Sequence, residues 1–441
     1  MYATNVAGTT IAQTKITYSA TGHPTQVQKW TSGSSWLTSS ATYNSNGTVA
    51  TSTDPSGAVS TYAYTGTGGC NDVLPTSITV KGSGVPAAGL STSAQWNCNG
   101  GVVMQTGDAN QPTNYTYYTY NDPVWRQREV NYPDGGSTMT TYNTGSTLPW
   151  GISTSSAINS TTNLNQTTIF DGLGRVKQTQ LTSDPEGTDY VDTTYDSLGR
   201  QATVSNPHRT ASSATDGTTT YGYDALSRVT SVLDQDGSKA SATYANNCST
   251  VTDEIGNSRE SCVDGLGRTT GVYEDPGTSP HLNYETDYSY DALNNLLSAT
   301  QKGGAASGSW RVRSLAYDGL SRLTSETNPE SGTVIYAYNS GGDLATRTAP
   351  APNQTGLSTV ITTYTHDALH RLTGKSYSDG TTPTDYYDYD VAAPWMTTAK
   401  NVAGRLANSS NQYGGGTSGL GTATAYGYDA MGRIVQDWEQ T

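Results

Sequence analysis

Tyr223-Asp224-Ala225-Leu226-Ser227-Arg228-Val229 is one copy of a phrase that this 441-residue chain writes eight times: usually an aromatic, then Asp, a small residue, Leu, a turn residue, Arg and an apolar residue. The copies start at Asp171, Asp196, Asp224, Asp264, Asp291, Asp318, Asp367 and Asp429. Two places on stand Leu173, Leu198, Leu226, Leu266, Leu293, Leu320 and Leu369, with Met431 in the eighth. The phrase closes on Arg175, Arg200, Arg228, Arg268, Arg322, Arg371 and Arg433, the copy at Asp291 ending in Asn295 instead. A recurring unit means a repeat architecture, to be read one unit at a time.

Successive starts at 171, 196 and 224, and again at 264, 291 and 318, lie 25, 28, 27 and 27 residues apart, room for two strands and two turns. Weaker copies at Tyr338-Asn339, at Tyr389-Asp390 with Gly404-Arg405-Leu406, and at Asp253 to Asn257 fill the longer gaps. Upstream of the Asp, aromatics alternate with small residues, as in Tyr221-Gly222-Tyr223 and Tyr336-Ala337-Tyr338. Period two puts both rings on one face of a strand. The Asp ends the strand, because a short carboxylate accepts bonds from amides two residues on. Gly174, Gly199, Gly267 and Gly432 suit a site with positive φ, but Ser227, Asn294, Ser321 and His370 occupy the same place, so the demand reads as less than absolute. A second strand follows and stops at signals such as Asp184-Pro185-Glu186-Gly187, Asp236-Gly237 or Asn328-Pro329-Glu330. The unit is a β-meander, and the fold class is all-β.

The phrases YDALSRVTSV from Tyr223, YDGLSRLTSETNPESG from Tyr317, FDGLGRVKQT from Phe170 and YDAMGRIV from Tyr428 resemble the YD repeats of Rhs proteins, of the C components of insecticidal toxin complexes, and of teneurins. The resemblance implies antiparallel hairpins in one long sheet that coils into a spiral, often a hollow shell around a toxin or linker. The match is close over 169–441; residues 1–168 read as degenerate units of the same continuous array, as at Tyr43, at Tyr62-Ala63-Tyr64 and at Tyr120. In that family a shell-closing segment, an aspartyl self-cleavage site and a variable toxin lie beyond the repeats; none is legible here. Roughly 16 units of two strands at ~4.8 Å give a sheet about 150 Å wide, which wound once has a radius of about 25 Å. The repeat Leu residues are expected to pack inside the spiral, and the Arg residues to form a ladder with the Asp residues or with carbonyls of neighbouring turns.

Composition fits a wet sheet. Only 33% of residues are hydrophobic, and Tyr numbers 31 against one Phe. Tyr buries a ring and keeps its hydroxyl at water or a partner, which serves cross-strand packing and, as an alternative, a ligand-stacking surface. A net charge of -14 argues against nucleic acid as a partner. No stretch approaches the ~18 apolar residues of a membrane span, so membrane insertion is not expected, and the N-terminus lacks the pattern of a signal peptide.

The Cys residues have a symmetry of their own. Cys248 and Cys262 flank a hairpin centred on Ile255, and Cys70 and Cys98 flank a turn at Gly82-Ser83-Gly84, so each pair is placed for a disulfide, with free thiols as the alternative. Disulfides imply an extracellular or cell-surface setting. His366 and His370 have the spacing of a helical metal pair but overlay the repeat phrase, and the acidic runs at 385–390 and 234–237 do not complete a calcium loop. No metal site, cofactor or catalytic residue is therefore expected. The sequons at Asn114 and Asn353 are of the kind expected by chance. Three functions compete: a secreted or surface YD-repeat scaffold that self-associates through its open sheet edges, even into filaments; a shell segment of a polymorphic toxin that encapsulates cargo; and a carbohydrate-binding module. A glycan or a protein is the ligand class these allow.

Overall fold

The computed structural model describes residues 2–4, 10–64, 68–110, 115–143, 150–209, 216–278, 281–303, 306–352, 356–396, 398–412 and 421–440. The sequons at Asn114 and Asn353 lie outside these. Among the described residues thirty-five strands, from Tyr2–Thr4 to Ile434–Gln440, pair antiparallel with their neighbours in sequence and form one meander with no crossover. A short 3-10 turn at Ser307–Ser309 is the one helical element among the described residues. Residues 1–168 and 169–441 belong to the same ribbon: Trp150–Ala157 pairs with Asn163–Phe170, and that strand with Val176–Leu181.

The ribbon has two edges of different chemistry. Turns of the YD phrase all fall on one edge, and Asp-Gly or Asn-Pro turns such as 184–187, 234–238 and 328–332 fall on the other. The Asp253 to Asn257 turn belongs to that other edge and is no YD copy by position, although its hydrogen bonding is the same. On the YD edge that place is taken by a tight turn at Asn246-Asn247, with Tyr244 as its aromatic. The copies read at Tyr389-Asp390 and Gly404-Arg405 are two ends of a single turn: the Asp390 amide donates to the Arg405 carbonyl at 3.1 Å, and 391–403 form an insertion. Ala393 and Met396 of the insertion bury against Ala425.

Pairing shifts by one residue at the aromatic of each YD hairpin, between Ile169 and Phe170, Thr194 and Tyr195, Gly222 and Tyr223, Ser289 and Tyr290, and Ala316 and Tyr317. A bulge bends its strand and increases the local twist. Repeated along the YD edge, with shifts on the other edge between Ala3 and Thr4 and between Trp30 and Ser32, it curls the ribbon, and the ribbon meets itself. The Gly319 amide donates to the Thr31 carbonyl at 2.7 Å, 288 residues back. The Ala368 amide donates to the Ser83 carbonyl at 2.8 Å, and Asn110 exchanges two bonds with the Ala403 backbone at 3.0 and 2.9 Å. Arg433 reaches Asp134 at 2.8 Å. Each docked pair joins a turn of the YD edge to a turn of the other edge 23 strands earlier.

Twenty-three strands per winding at ~4.8 Å give a circumference of about 110 Å and, for a round cross-section, a radius of about 18 Å. The spiral is thus narrower than the single 25 Å winding expected from sequence, and its thirty-five strands make about one and a half windings. The seam needs close approach. A Cβ on Gly319 would overlap the Trp30 ring, and one on Gly82 would overlap Ala368. The wall is hollow in the energetic sense too: its surface of 25566 Å² exceeds the ~16,000 Å² of a compact monomer of its mass. No large side chain is fully buried among the described residues.

The repeat leucines do not fill a core. Leu173, Leu198, Leu226 and Leu266 are 70–78% exposed at the tips of their turns. The third residue of the turn lies beyond the last paired residues of both strands, at the ribbon edge, where in these four copies no layer covers it. Leu293, Leu320 and Leu369 are half-buried.

Substituting Gly82→Val is expected to part the windings at Ala368 while leaving distant turns intact. Hydrogen exchange checks this: the Ala368 amide should lose protection, with no change at Gly174 or Gly199.

Candidate functional site: repeat joints and the spiral seam

Each YD turn is built by its carboxylate. In the first copy Asp171 Oδ1 accepts from the Leu173 and Arg175 amides, both at 2.9 Å, and Oδ2 accepts from Arg175 Nε at 2.8 Å. The same three bonds recur at Asp196, Asp224, Asp264, Asp318, Asp367 and Asp429. At Asp291 the amide of Asn295 side chain replaces the guanidinium, at 2.8 Å. Asp122 with Val124 and Arg126 is a further copy that the eight-fold phrase missed, because Pro123 and Trp125 disguise it. The fourth residue adopts positive φ in every copy: 76° at Gly174 and 83° at Gly199, but also 62° at Ser227, 71° at Asn294, 61° at Ser321 and 62° at His370. The conformational demand is therefore absolute; only the residue varies.

The Arg then joins one repeat to the next. Its guanidinium lies over the following Tyr ring, as with Arg175 on Tyr195 at 4.1 Å, Arg228 on Tyr244 at 4.1 Å and Arg322 on Tyr338 at 4.1 Å. The same Tyr donates its hydroxyl to the carbonyl just after that Arg: Tyr195 to Val176, Tyr244 to Val229 and Tyr338 to Leu323, each at 2.8 Å. Spare guanidinium nitrogens reach the next turn, Arg200 to the Asp224 carbonyl at 3.0 Å and Arg268 to the Asp291 carbonyl at 2.9 Å. Tyr, Asp and Arg are thus three parts of one joint. The ring contact contributes about 0.5–1 kcal/mol and the hydroxyl bond about 1 kcal/mol per joint. Phe lacks that bond, which accounts for Tyr over Phe.

At the seam the joints become acidic clusters. Arg371 bridges Asp367 and Asp390, each at 2.7 Å, with both carboxylates buried. His370, at a turn tip, lies 2.6 Å from Asp343 and 3.4 Å from Asp54 of the earlier winding. Burial pulls its imidazole down, but the two carboxylates outweigh that and hold it above its ordinary value. His366 fills the Tyr position of its repeat, at the end of strand Thr359–His366, and His370 lies in the turn that follows, so the two are not on a helix.

Cys70 is bridged to Cys98 and Cys248 to Cys262, with sequence separations of 28 and 14. The second pair lies directly opposite in register on neighbouring strands. These staples are worth roughly 3–4 kcal/mol each in the chain-entropy picture. Glu260 lies beside Cys248 and Cys262, but both sulfurs are spent in the bridge. Two clefts straddle the windings. One, of about 490 Å³, has Trp96, Asp108, Pro133, Arg405 and Met431 among its lining. The other, of about 630 Å³, is lined by Trp36, Tyr317, Tyr336 and Tyr338 with Asp318 and Arg322.

Two outcomes are expected of the joints. Ser321→Gly relieves a left-handed Ser and should stabilise the array by about 0.5–1 kcal/mol, whereas Asp318→Ala should destabilise it by about 1–3 kcal/mol; denaturant melts check both. The side-chain bond from Arg175 to Asp171, and that from Arg268 to Asp264, hold these carboxyls below the ordinary 3.8. A depressed carboxyl gives stability that is present above its unfolded value and lost as pH falls through the folded one. Thermal midpoints should hold steady from neutral pH to about 5, then fall steeply below the ordinary Asp range. The His370 contact has the opposite sign and weakens as pH rises.

An RHS Repeat profile matches residues 317–354. No curated protein sequence matches the chain. Among solved structures, the spiral is similar to the crystal structure of TcdB2-TccC3, with a TM-score of 0.68 and 12% identity over 97% of this chain and 26% of that one. It is similar to the Photorhabdus luminescens Tc holotoxin pore, at 0.69 and 11% over 98% of this chain and 32% of that one. It also resembles TcdB2-TccC3 without its hypervariable C-terminal region, at 0.67 and 12% over 97% and 28%. The chain spans between a quarter and a third of the length of these proteins. Residues 317–354 thus match an RHS repeat, the same phrase recurs along the ribbon, and the spiral has the fold found in Tc toxin complexes.

Proposed function

We propose that the chain is a non-enzymatic wall segment of a secreted Rhs-type shell, whose work is to enclose a polypeptide passenger. The observation that carries this reading is the seam. A ribbon that docks on itself every 23 strands encloses a lumen, whereas a flat or open scaffold has no use for matched edges. Subtracting ~6 Å of side chain from a backbone radius of about 18 Å leaves a bore about 24 Å across, wide enough for an extended chain or a helix of ~10–12 Å. A wall in which only 33% of residues are hydrophobic suits a passenger held without tight binding. Two disulfides and the absence of a membrane-spanning helix among the described residues agree with an extracellular site of action. The Tc toxin likeness supports the same reading, by fold alone.

A glycan-binding role is a second reading, resting on the cleft with Trp36 and three Tyr rings beside the Asp318–Arg322 pair. Aromatic faces beside a charged pair suit a sugar ring, although Tyr338 and Tyr336 have committed their hydroxyls to Leu323 and Glu326.

Electron micrographs of the purified chain test the first reading: particles with an open centre support it, and solid globules or uncoiled ribbons overturn it. A glycan array tests the second. Binding that disappears in Trp36→Ala supports a sugar site, and an array without signal removes it.

A further inference from the structure

The Cys248–Cys262 bridge sits within a polar cluster that a staple does not need. The two cysteines face each other in register on neighbouring strands, with a Cα–Cα distance of 4.0 Å. Glu260 stands two residues before Cys262 on one strand, so its side chain shares the cysteines' face of the sheet. Its carboxylate is aimed. Thr250, directly opposite, donates its hydroxyl to Glu260 Oε2 at 3.0 Å, and Oε1 lies 3.8 Å from Cys262 Sγ. Asn247 does the same from the turn: its Nδ2 donates to the Val263 carbonyl at 2.6 Å, which leaves Oδ1 3.9 Å from Cys248 Sγ. Each sulfur thus has a side-chain oxygen held beside it, and a sulfur in a disulfide has no hydrogen to give that oxygen. The other bridge differs. Among the described residues no carboxylate or imidazole is grouped in this way with Cys70 and Cys98.

The strands keep their places without the bridge. Ser249 to Thr252 pair with Ser258 to Ser261 on one side of it, and on the other the Val263 amide donates to the Asn247 carbonyl at 2.9 Å. Both strands are paired again on their outer sides, with Lys239–Ala245 and with Thr269–Glu274. Opposed residues of such a ladder hold their Cβ atoms ~4.5–5.5 Å apart. Zn–S bonds of ~2.3 Å set two thiolates ~3.8 Å apart on a tetrahedral cation, a spacing that side-chain rotation alone supplies here. The residues opposite the cysteines on the outer strands are Ala245 and Gly271, which carry little or no side chain. Cys248, Glu260 and Cys262 are each half-buried, so the cluster is not sealed from solvent.

We propose that reduction of this bridge creates a divalent-cation site, held by the Cys248 and Cys262 thiolates and the Glu260 carboxylate, with zinc as the cation. A dithiol reductant supplies two electrons and two protons, is itself oxidised to a disulfide, and leaves two cysteine thiols in place of the Sγ–Sγ bond. Zinc then binds both as thiolates and releases both protons to solvent. Two soft sulfurs with one carboxylate suit zinc over calcium or magnesium, which take oxygen ligands. Three protein ligands leave a fourth position for water or for Asn247 Oδ1. The hairpin is then tied in either redox state, by a covalent bond in an oxidising setting and by the ion in a reducing one. The inference is independent of what the lumen holds.

The test reduces the 441-residue chain with a phosphine under argon, adds zinc, and reads binding by competition with a chromophoric chelator and by alkylation of free thiols before peptide mapping. The reduced chain is expected to bind one zinc and the oxidised chain none. Zinc should shield Cys248 and Cys262 from alkylation while Cys70 and Cys98 react as they do without it. Glu260→Gln should weaken binding at least ~10-fold, the loss that even an outer-shell partner carries, and its oxidised form should melt within a few degrees of the parent. Cobalt in place of zinc should show the absorption of a tetrahedral two-thiolate site, which Cys262→Ser should abolish. A reduced chain that binds no zinc overturns the proposal, as does shielding that falls on Cys70 and Cys98, or an affinity indifferent to Glu260→Gln. Loss of the far-ultraviolet β signal on reduction, before any cation is added, overturns it as well, because the site rests on strands that keep their register. None of these results bears on the shell reading, which the micrographs decide.

Discussion

The contact of each Arg with the next repeat's Tyr is the interaction on which the array depends. In a packed domain, neighbouring elements cohere by burying apolar side chains between layers. This wall has one layer and both faces meet water, so cohesion across hydrogen-bonded strands must come from groups that work at a wet surface. A guanidinium on a tyrosine face keeps part of its strength there, and the tyrosine hydroxyl adds a bond to a carbonyl that would otherwise need water. Isolated surface ion pairs would not suffice, being worth about 0–1 kcal/mol. The Asp matters because it aims the Arg: it closes the turn with two amide bonds and holds Nε and, in most copies, Nη2, leaving Nη1 for the next repeat. Stability of this kind runs from neighbour to neighbour along the ribbon.

Winding adds a second constraint, one of parity. A turn of the YD edge can dock only on a turn of the other edge, so the lag between docked turns must be an odd number of strands. Twenty-three satisfies it. An even lag would set YD turns against YD turns, with Arg facing Arg and the tip leucines colliding. Close approach at the seam is confined to a few positions, and glycines occupy them at Gly82, Gly84 and Gly319.

Much of this was legible in the sequence because the Asp turn is local chemistry. The phrase from Tyr223 to Val229 contains its own strand end, turn and next strand, and the Cys pairs are symmetric about turns that can be read directly. What the sequence hid depends on geometry beyond one unit. Leu at the tip reads as core because Leu is usually buried, and only the folded ribbon places it at the edge, beyond the last paired residues. Asp253 looks like a YD copy since its turn is the same, yet its strand count puts it on the opposite edge. Tyr389 and Arg405 look like two copies because 391–403 separate the halves of one turn. The winding number was hidden most deeply. It is a sum of small bends, about 16° per strand, set by the bulge at each YD aromatic.

Those bulges also show why composition and function belong together. A sheet bent by a fixed angle per strand and docked on itself cannot collapse onto its own inner face, so it cannot exclude water from the bore. Side chains facing the bore must therefore tolerate water, and Thr, Ser and Tyr on a β-scaffold do so while keeping strand propensity. A dense apolar lining would be stabilised by shrinking the ring, and with an odd lag fixed by the edges the next narrower ring would have to lose two strands at once. A low hydrophobic content and the fixed period thus support one another. Together they keep open a bore that a hydrophobic wall of the same length would close.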